Sequence, residues 1–313
     1  MISPFPSTFQ SAYLKLAQQE LAERVAMAYA GLQACAQCGR ACGVDRRSGP
    51  GKSTCRTGPV PVIASFGPHF GEESPLTGQR GSGTIFFARC NLYCVYCQNW
   101  TISWRGEGSV KTPEQLADIM LMLQKQGCHN INLVSPSHVI APILAAVQLA
   151  AARGLHLPLV YNTGGYDSLV GLSLLDGVVD IYMPDMKYGD AEPAYRYSRV
   201  KDYPRINQAA VKEMHRQVGN LQLDEDGIAR RGLLVRHLIL PEGLAGSADI
   251  FEFLAREISP DTYLNIMPQY HPSYRAARFP PMEQREIRQW YAQALVLARE
   301  AGLHRLDRRP LWE

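Results

Sequence analysis

Seven of the eight cysteines stand in two tight groups, Cys35/Cys38/Cys42/Cys55 and Cys90/Cys94/Cys97, and no other feature of the 313 residues limits the fold so sharply. The first thirty residues lack a basic stretch followed by an apolar one, so a secretory leader is not expected and a reducing, cytoplasmic setting is. Disulfides are rare in that setting, and clustered cysteines there read as metal ligands. Cys128 stands apart, beside Gly127 at an expected helix end, and reads as a small buried residue.

The rest of the chain suits a globular enzyme. Hydrophobic residues make up 46% and charged residues 19%, enough for a sizeable core. A net charge of +3 gives no reason to expect a nucleic-acid or membrane partner, and no apolar run is long enough to span a bilayer. Residues 11–31 read as an amphipathic helix, and the stretch from Gly31 to about Gly83 is rich in Gly, Pro and Cys. So little periodic structure calls for another source of stability, which a bound metal supplies. Gly49-Pro50-Gly51-Lys52-Ser53 looks like a phosphate loop, but position 46 is Arg and no strand precedes it, so that reading fails.

From residue 84 the texture changes. Apolar runs at Thr84–Ala88, Asn130–Val134, Leu157–Tyr161, Val178–Met183, Gly232–Leu240 and Thr262–Ile266 read as strands. Helix patterns lie between them at 113–126, 139–153, 167–175, 206–218 and 247–258, with a last one at 282–301. Pro113 and Pro142 suit first turns, and Gly127 and Gly154 suit C-terminal caps. Six strands alternating with helices predict an α/β fold with a parallel sheet, whose chemistry sits at the C-terminal strand ends. The segment 190–231 is longer than a minimal crossover.

The first of these strands runs straight into Arg89-Cys90-Asn91-Leu92-Tyr93-Cys94-Val95-Tyr96-Cys97. Three thiolates on one short loop are the soft ligands an iron–sulfur cluster requires. Three protein ligands leave one iron of a 4Fe–4S cluster open to a small molecule. The bland competitor, zinc held by these cysteines and a remote His, fits the strand-end position less well.

The Cys-x3-Cys-x2-Cys spacing, with Tyr96 before the last cysteine, resembles the signature of radical S-adenosylmethionine enzymes. More narrowly, Gly81–Phe87, Cys97-Gln98-Asn99, Tyr161-Asn162-Thr163-Gly164-Gly165, Met183-Pro184-Asp185-Met186-Lys187 and Leu264–His271 resemble the pyruvate formate-lyase activating enzymes. The similarity runs over most of residues 80–275. It implies a partial (β/α)6 barrel over residues 81–275, preceded by an N-terminal helix and four-Cys metal-binding segment over 1–80. A C-terminal helix and tail, 276–313, would pack on the barrel. It implies a 4Fe–4S cluster on Cys90, Cys94 and Cys97, and reductive cleavage of S-adenosylmethionine to a 5′-deoxyadenosyl radical that abstracts hydrogen.

Carried over by position, Asn162, Thr163, Met183 and Asp185 would lie near the cofactor's carboxylate, around a small cation. Lys187 would pair with that carboxylate, Arg236 would sit near ribose and carboxylate, His271 would contact the adenosyl part and Tyr96 would pack near adenine. Independently of the resemblance, Asp185 and Lys187 alternate along a strand end and so face the same way. The family's Gly-Gly-Glu motif, which holds the methionine amine, is replaced by Leu133-Val134-Ser135-Pro136-Ser137-His138. Ser135, Ser137 or His138 would be the substitute for it, and His138 reads equally as a helix-start residue with no ligand role.

Cys35, Cys38, Cys42 and Cys55 give a C-x2-C-x3-C-x12-C pattern, a closed tetrathiolate site. A zinc knuckle is the favoured reading and an auxiliary iron–sulfur cluster the alternative. His69, Glu72 and Glu73 on a glycine-flanked loop read as a solvated turn, with a substrate contact as the sharper option, and His237 reads as core. The leading function is an activating-enzyme-like radical enzyme, reduced by a partner such as flavodoxin or ferredoxin and creating a glycyl radical on a partner protein. Radical modification of a peptide or small molecule competes with it. From another class, a non-catalytic iron–sulfur or zinc protein has no use for an open iron or for Asp185 and Lys187 at strand ends.

Overall fold

The computed structural model describes residues 9–307. The outermost parts of the expected N-terminal segment and C-terminal tail lie outside them. In chain order the first elements are α1 (Gln18–Ala30), β1 (Val62–His69), α2 (Ser74–Thr77), β2 (Ser82–Phe87), β3 (Ser109–Val110), α3 (Pro113–Lys125), β4 (Ile131–Val134) and α4 (Ile140–Ala152). There follow β5 (Leu159–Thr163), α5 (Leu169–Leu175), β6 (Ile181–Pro184), α6 (Ala191–Ser198), α7 (Tyr203–Val218), β7 (Gln222–Leu223) and β8 (Ala229–Leu238). Last come α8 (Ser247–Phe253), β9 (Tyr263–Met267) and α9 (Arg288–Glu300).

The six apolar runs all become strands. β2, β4, β5, β6, β8 and β9 pair in parallel in that order, with helices on the outside, which is the partly closed α/β barrel read from the sequence. The outer helices end as their residues dictate. Thr112 and Gln115 form a reciprocal capping box on α3, Pro113 fills its first turn, and Gly127 follows at φ +87°.

β1 adds antiparallel to β2, and β3 to β1. The sequence hides β1, because Gly67-Pro68 lies inside it. β3 covers only Val62 and Ile63, so Pro68 lies on an edge, where a missing N–H is tolerated. The long crossover 190–231 holds α6, α7 and β7.

Side-chain alternation splits each barrel strand. Ile131, Leu133, Leu159 and Tyr161 face the helices and join the main core. Their neighbours Asn132, Val160 and Asn162 face the lumen. Val160, Ile181, Met183 and Leu234 form a second apolar cluster inside the barrel, completed by Leu221 and by Leu76 from α2. Asn130, just below β4, donates to the Leu76 carbonyl at 2.9 Å, so α2 plugs the N-terminal end of the lumen.

The N-terminal segment is tied across the same end. Ser11 donates to the His156 carbonyl (2.7 Å) and Tyr13 to that of Leu157 (3.0 Å). Asp180 accepts from the backbone N–H of Ala12 (2.8 Å) and of Leu159 (3.0 Å). Burial outweighs these bonds and lifts the Asp180 carboxyl to about 7. Between its unfolded value of about 4 and pH 7 the folded chain therefore binds the extra proton, and stability falls as pH rises. Relative to Asp180→Asn, wild type is expected to lose about 1.4 kcal/mol per pH unit across that window. Urea midpoints measured from pH 4.5 to 7.5 check the sign; parallel curves for the two proteins would refute it.

Candidate cofactor site

β2 ends at Phe87, and Arg89 turns the chain at φ +68° into the cysteine loop. A single π-turn over Thr101–Arg105 folds back against it. Each sulfur of the triplet has a polar neighbour. The Leu92 N–H lies 3.4 Å from Cys90 Sγ, the Ser198 hydroxyl donates to Cys94 Sγ at 3.0 Å, and Ser103 Oγ lies 3.1 Å from Cys97 Sγ. Burial pushes the Cys90 thiol up to about 12 and raises that of Cys97, with the neighbouring cysteines adding to it. A coordinated cation is what stabilises thiolates in so dry a setting.

All three cysteines line one cavity of about 170 Å³ together with Ser135, Asn162, Asp185, Lys187 and Arg236. A neighbouring cavity of about 190 Å³ is lined by Cys94, Tyr96, Cys97, Asp185, Lys187, Arg236 and Gln269. Three soft donors on one side and a polar, charged wall on the other fit a cluster with an open iron and a zwitterionic ligand.

Asp185 is the hub of that wall. Lys187 Nζ lies 2.7 Å from one carboxylate oxygen and Arg236 Nε 2.8 Å from the other, while Arg236 Nη2 donates to Asn162 Oδ1 at 2.7 Å. Burial would raise the Asp185 carboxyl, but Arg236 and Lys187 outweigh it and hold it below its ordinary value. Burial works against the Lys187 ammonium, and Asp185 outweighs it in turn. Asp185 takes one of the three Lys187 donors, so the ammonium keeps capacity for a second anion.

The other expected contacts divide. Tyr96 is buried and donor-linked to Tyr188 (2.8 Å), with its ring on the second cavity. Thr163 borders the first cavity, but its hydroxyl is spent on Asp167 (2.6 Å) and Ser137 (2.9 Å), so it shapes the turn. Met183 is packed in the apolar lumen cluster beneath the hub. His271 is exposed at the rim, 3.2 Å from Gln98 Nε2.

In the place of the Gly-Gly-Glu motif Val134 and Ser135 line the cavity, and Ser135, in a left-handed conformation at φ +59°, is the one polar side chain of that stretch to do so. His138 is buried, sits 3.1 Å from the Ala88 carbonyl, and is held neutral by burial with its pKa near 3. It is a helix-start residue. His237 is core, as expected, between the Met186 carbonyl and Ser247.

The solvated turn at Glu72 and Glu73 is overturned. They are only 7% and 4% exposed and point into the lumen. Glu72 Oε2 accepts from Asn162 (3.4 Å), and Glu73 Oε1 accepts from Asn265 (3.0 Å) and lies 3.8 Å from Arg236 Nη1. Asn132, fully buried on the same inner face, has neither side-chain atom hydrogen-bonded, nor has Glu73 Oε2. Two carboxylates ahead of Ser-Pro carry no sequence signal of burial. Only the placement of α2 inside the barrel reveals it.

In the four-cysteine segment, Cys35, Cys38 and Cys55 are buried and Cys42 is partly so. Among the described residues no group of three or more His, Cys, Asp or Glu side chains is set to hold a single metal ion. The donor chemistry nonetheless fits a metal–thiolate centre. Arg46 is 1% exposed and has no carboxylate within ion-pair distance among the described residues. Its guanidinium donates to the carbonyls of Thr57 (2.7 Å) and His138 (2.7 Å) and to Cys35 Sγ (3.2 Å). A buried cation needs a negative counterpart, and thiolates are the groups at hand.

This segment abuts the triplet. The Tyr166 carbonyl accepts from Gly39 N (2.9 Å) and from Asn91 Nδ2 (2.7 Å), and Arg40 Nε donates to the Asn91 carbonyl (2.7 Å).

Comparison with known proteins agrees with this geometry. The family model of the Radical SAM superfamily matches residues 84–224. A protein of Methanocaldococcus jannaschii, described as uncharacterized protein MJ0674, is 31% identical over 243 residues. The match covers 75% of this chain and 66% of that one, so the chain spans just under two thirds of its relative's length. A solved structure of TYW1 with a lysine-pyruvate adduct bound overlaps 61% of this chain and 67% of that one, at 11% identity and a TM-score of 0.38. So slight a likeness carries no argument. The family match begins at Thr84 and takes in the cysteine loop, Asn162, Asp185 and Lys187, so this stretch of the chain is similar to the Radical SAM superfamily.

Proposed function

We propose that this chain is an activating-enzyme-like radical enzyme that abstracts hydrogen from a partner, a glycyl-radical enzyme being the first candidate. One observation carries the reading. The hub of Asp185, Lys187, Arg236 and Asn162 faces Cys90, Cys94 and Cys97 across a single cavity. When bound there, a 4Fe–4S cluster and S-adenosylmethionine supply an electron and a 5′-deoxyadenosyl radical.

The protein's own work is to hold the reactants. Lys187 offers its remaining donors to the cofactor carboxylate, with Arg236 beside it. Asp185 keeps both cations aimed and compensates their charge. Tyr96, held by the Tyr188 hydroxyl, lines the second cavity, where the adenosyl part would lie. The Ser198 and Ser103 hydroxyls bond to the ligand sulfurs, a contact that tunes cluster potential. A small polar substrate is the second reading, supported by Glu72, Glu73 and the unsatisfied Asn132 amide in the lumen. In the four-cysteine segment a metal centre, zinc or an auxiliary cluster, orders the wall beside the triplet loop.

The test is anaerobic reconstitution, addition of S-adenosylmethionine and dithionite, and assay for 5′-deoxyadenosine. Stoichiometric or catalytic release is expected. A loaded protein that neither binds nor cleaves S-adenosylmethionine sinks the reading. A glycyl-radical signal from a candidate partner decides between the two substrates.

A further inference from the structure

The outer face of the triplet loop carries an unusual surface. Arg105 lies over the Trp100 ring at 4.4 Å, and Trp100 stacks on Tyr274 at 5.3 Å. Arg275 lies over Tyr274 at 4.9 Å and over Trp104 at 5.2 Å. Trp104 packs edge-on against Tyr93 at 4.8 Å, and Arg56 lies over Tyr93 at 5.7 Å. Arg105 and Arg275 are exposed, and the rings are half-buried.

Arg40 and Arg89 complete the patch. Of these five arginines only Arg105 has a carboxylate within 4 Å among the described residues, Glu107 at 3.5 Å. Arg56 donates to the carbonyls of Trp104 (2.6 Å) and Ser103 (3.0 Å), and Arg40 to those of Asn91 (2.7 Å) and Arg199 (2.9 Å), so the fold itself uses these two. Arg105 and Arg275 are the exposed charges that it leaves over on the rings.

Its position supplies the explanation. The Trp104 indole N–H donates to the Cys94 backbone carbonyl at 3.0 Å, and Arg275 N–H donates to that of Val95 at 2.9 Å. The patch therefore touches the ligand loop directly and offers an electron from outside a short path to it. We propose that the Arg105/Arg275/Arg56 face is the docking surface for an acidic one-electron carrier protein, with Trp104 as the contact between carrier and cluster loop. This rests on the radical reading above. One electron leaves the carrier and reduces the cluster; no bond is made or broken and no proton moves.

RNA fits the patch less well. Trp100 already has Arg105 on its ring and Tyr274 stacked on it, which leaves poor room for a base. Oriented guanidiniums over fixed rings suit acidic side chains on a rigid partner.

The experiment uses the reconstituted full chain in stopped flow, following bleaching of the cluster by reduced flavodoxin, an acidic carrier, and by dithionite. Arg105→Glu/Arg275→Glu is expected to slow reduction by flavodoxin by about tenfold or more, and wild-type reduction to slow steeply as salt is raised. Reduction by dithionite, and the 5′-deoxyadenosine it yields, should stay unchanged. Arg216→Glu/Arg256→Glu, on exposed helices α7 and the turn after α8, serves as the charge-matched control.

An unaltered flavodoxin rate, an equal slowing with dithionite, or an equal slowing in the control overturns the docking surface. So does RNA retained by wild type and released by the double variant. Failure of the radical reading looks different: wild type then gives no 5′-deoxyadenosine even with dithionite.

Discussion

Cys97→Ala is expected to reduce 5′-deoxyadenosine formation to background, with loss of the triplet's iron and little loss of fold. The reason is coordination number. Two thiolates cannot hold a cluster that already leaves one iron open, and Asp185, which lines the same cavity, is already held by Lys187 and Arg236. Cys97 is only half-buried on a surface loop, so its removal costs modest packing. Iron and sulfide analysis with circular dichroism separates the two effects; residual cleavage near wild type would refute the assignment. With Cys90, Cys94 and Cys97 all replaced, the metal that remains identifies the second site. Zinc alone marks a structural centre, and about four irons per chain mark a full cluster.

Asp185→Ala is expected to be the most damaging single change in the hub. It strands Lys187 and leaves Arg236, both under one-fifth exposed, with only the more distant Glu73 at 3.8 Å as counter-charge. Removing one partner of a buried ion pair costs about 3–5 kcal/mol. The same change frees both cations from their aim, so affinity for S-adenosylmethionine should fall along with stability. Lys187→Met alone should weaken cofactor binding while leaving Asp185 paired to Arg236. In the double variant part of the stability returns, because one uncompensated cation has gone. Urea denaturation of the four-protein cycle checks this. Additive losses would show that Asp185 and Lys187 do not act as a unit.

The barrel was legible because its signal is periodic. Each parallel strand is buried on both faces and so reads as a short apolar run, and the helices declare themselves by Pro113, Gly127 and their spacing. The triplet was legible because three cysteines on one loop admit few explanations. Asp185 and Lys187 were visible as charges that break an apolar strand end.

What stayed hidden depends on contacts between distant segments. β1 is an edge strand whose Gly67-Pro68 reads as a turn, and Glu72 and Glu73 look solvated until α2 is seen inside the barrel. The expected roles of Ser137 and His138 dissolve for the same reason, since Thr163 and the Ala88 carbonyl claim them first. Position in a motif shows where a residue sits in the chain. Competing partners decide where its polar atoms point.

The lumen acids have a different origin from the cofactor platform. Asp185, Lys187, Arg236 and Asn162 sit on or just beyond β5, β6 and β8, where any change disturbs the sheet. Glu72 and Glu73 come from a short plug threaded in ahead of β2, and two side chains alone, Asn162 and Arg236, join the plug to the hub. The strands thus supply the lumen's apolar lining and the cofactor platform, while its acidic groups are carried by a separate plug. A change of charge in residues 70–77 reaches the hub only through Asn162 and Arg236, so the plug can tune what the barrel admits with little change to the strands.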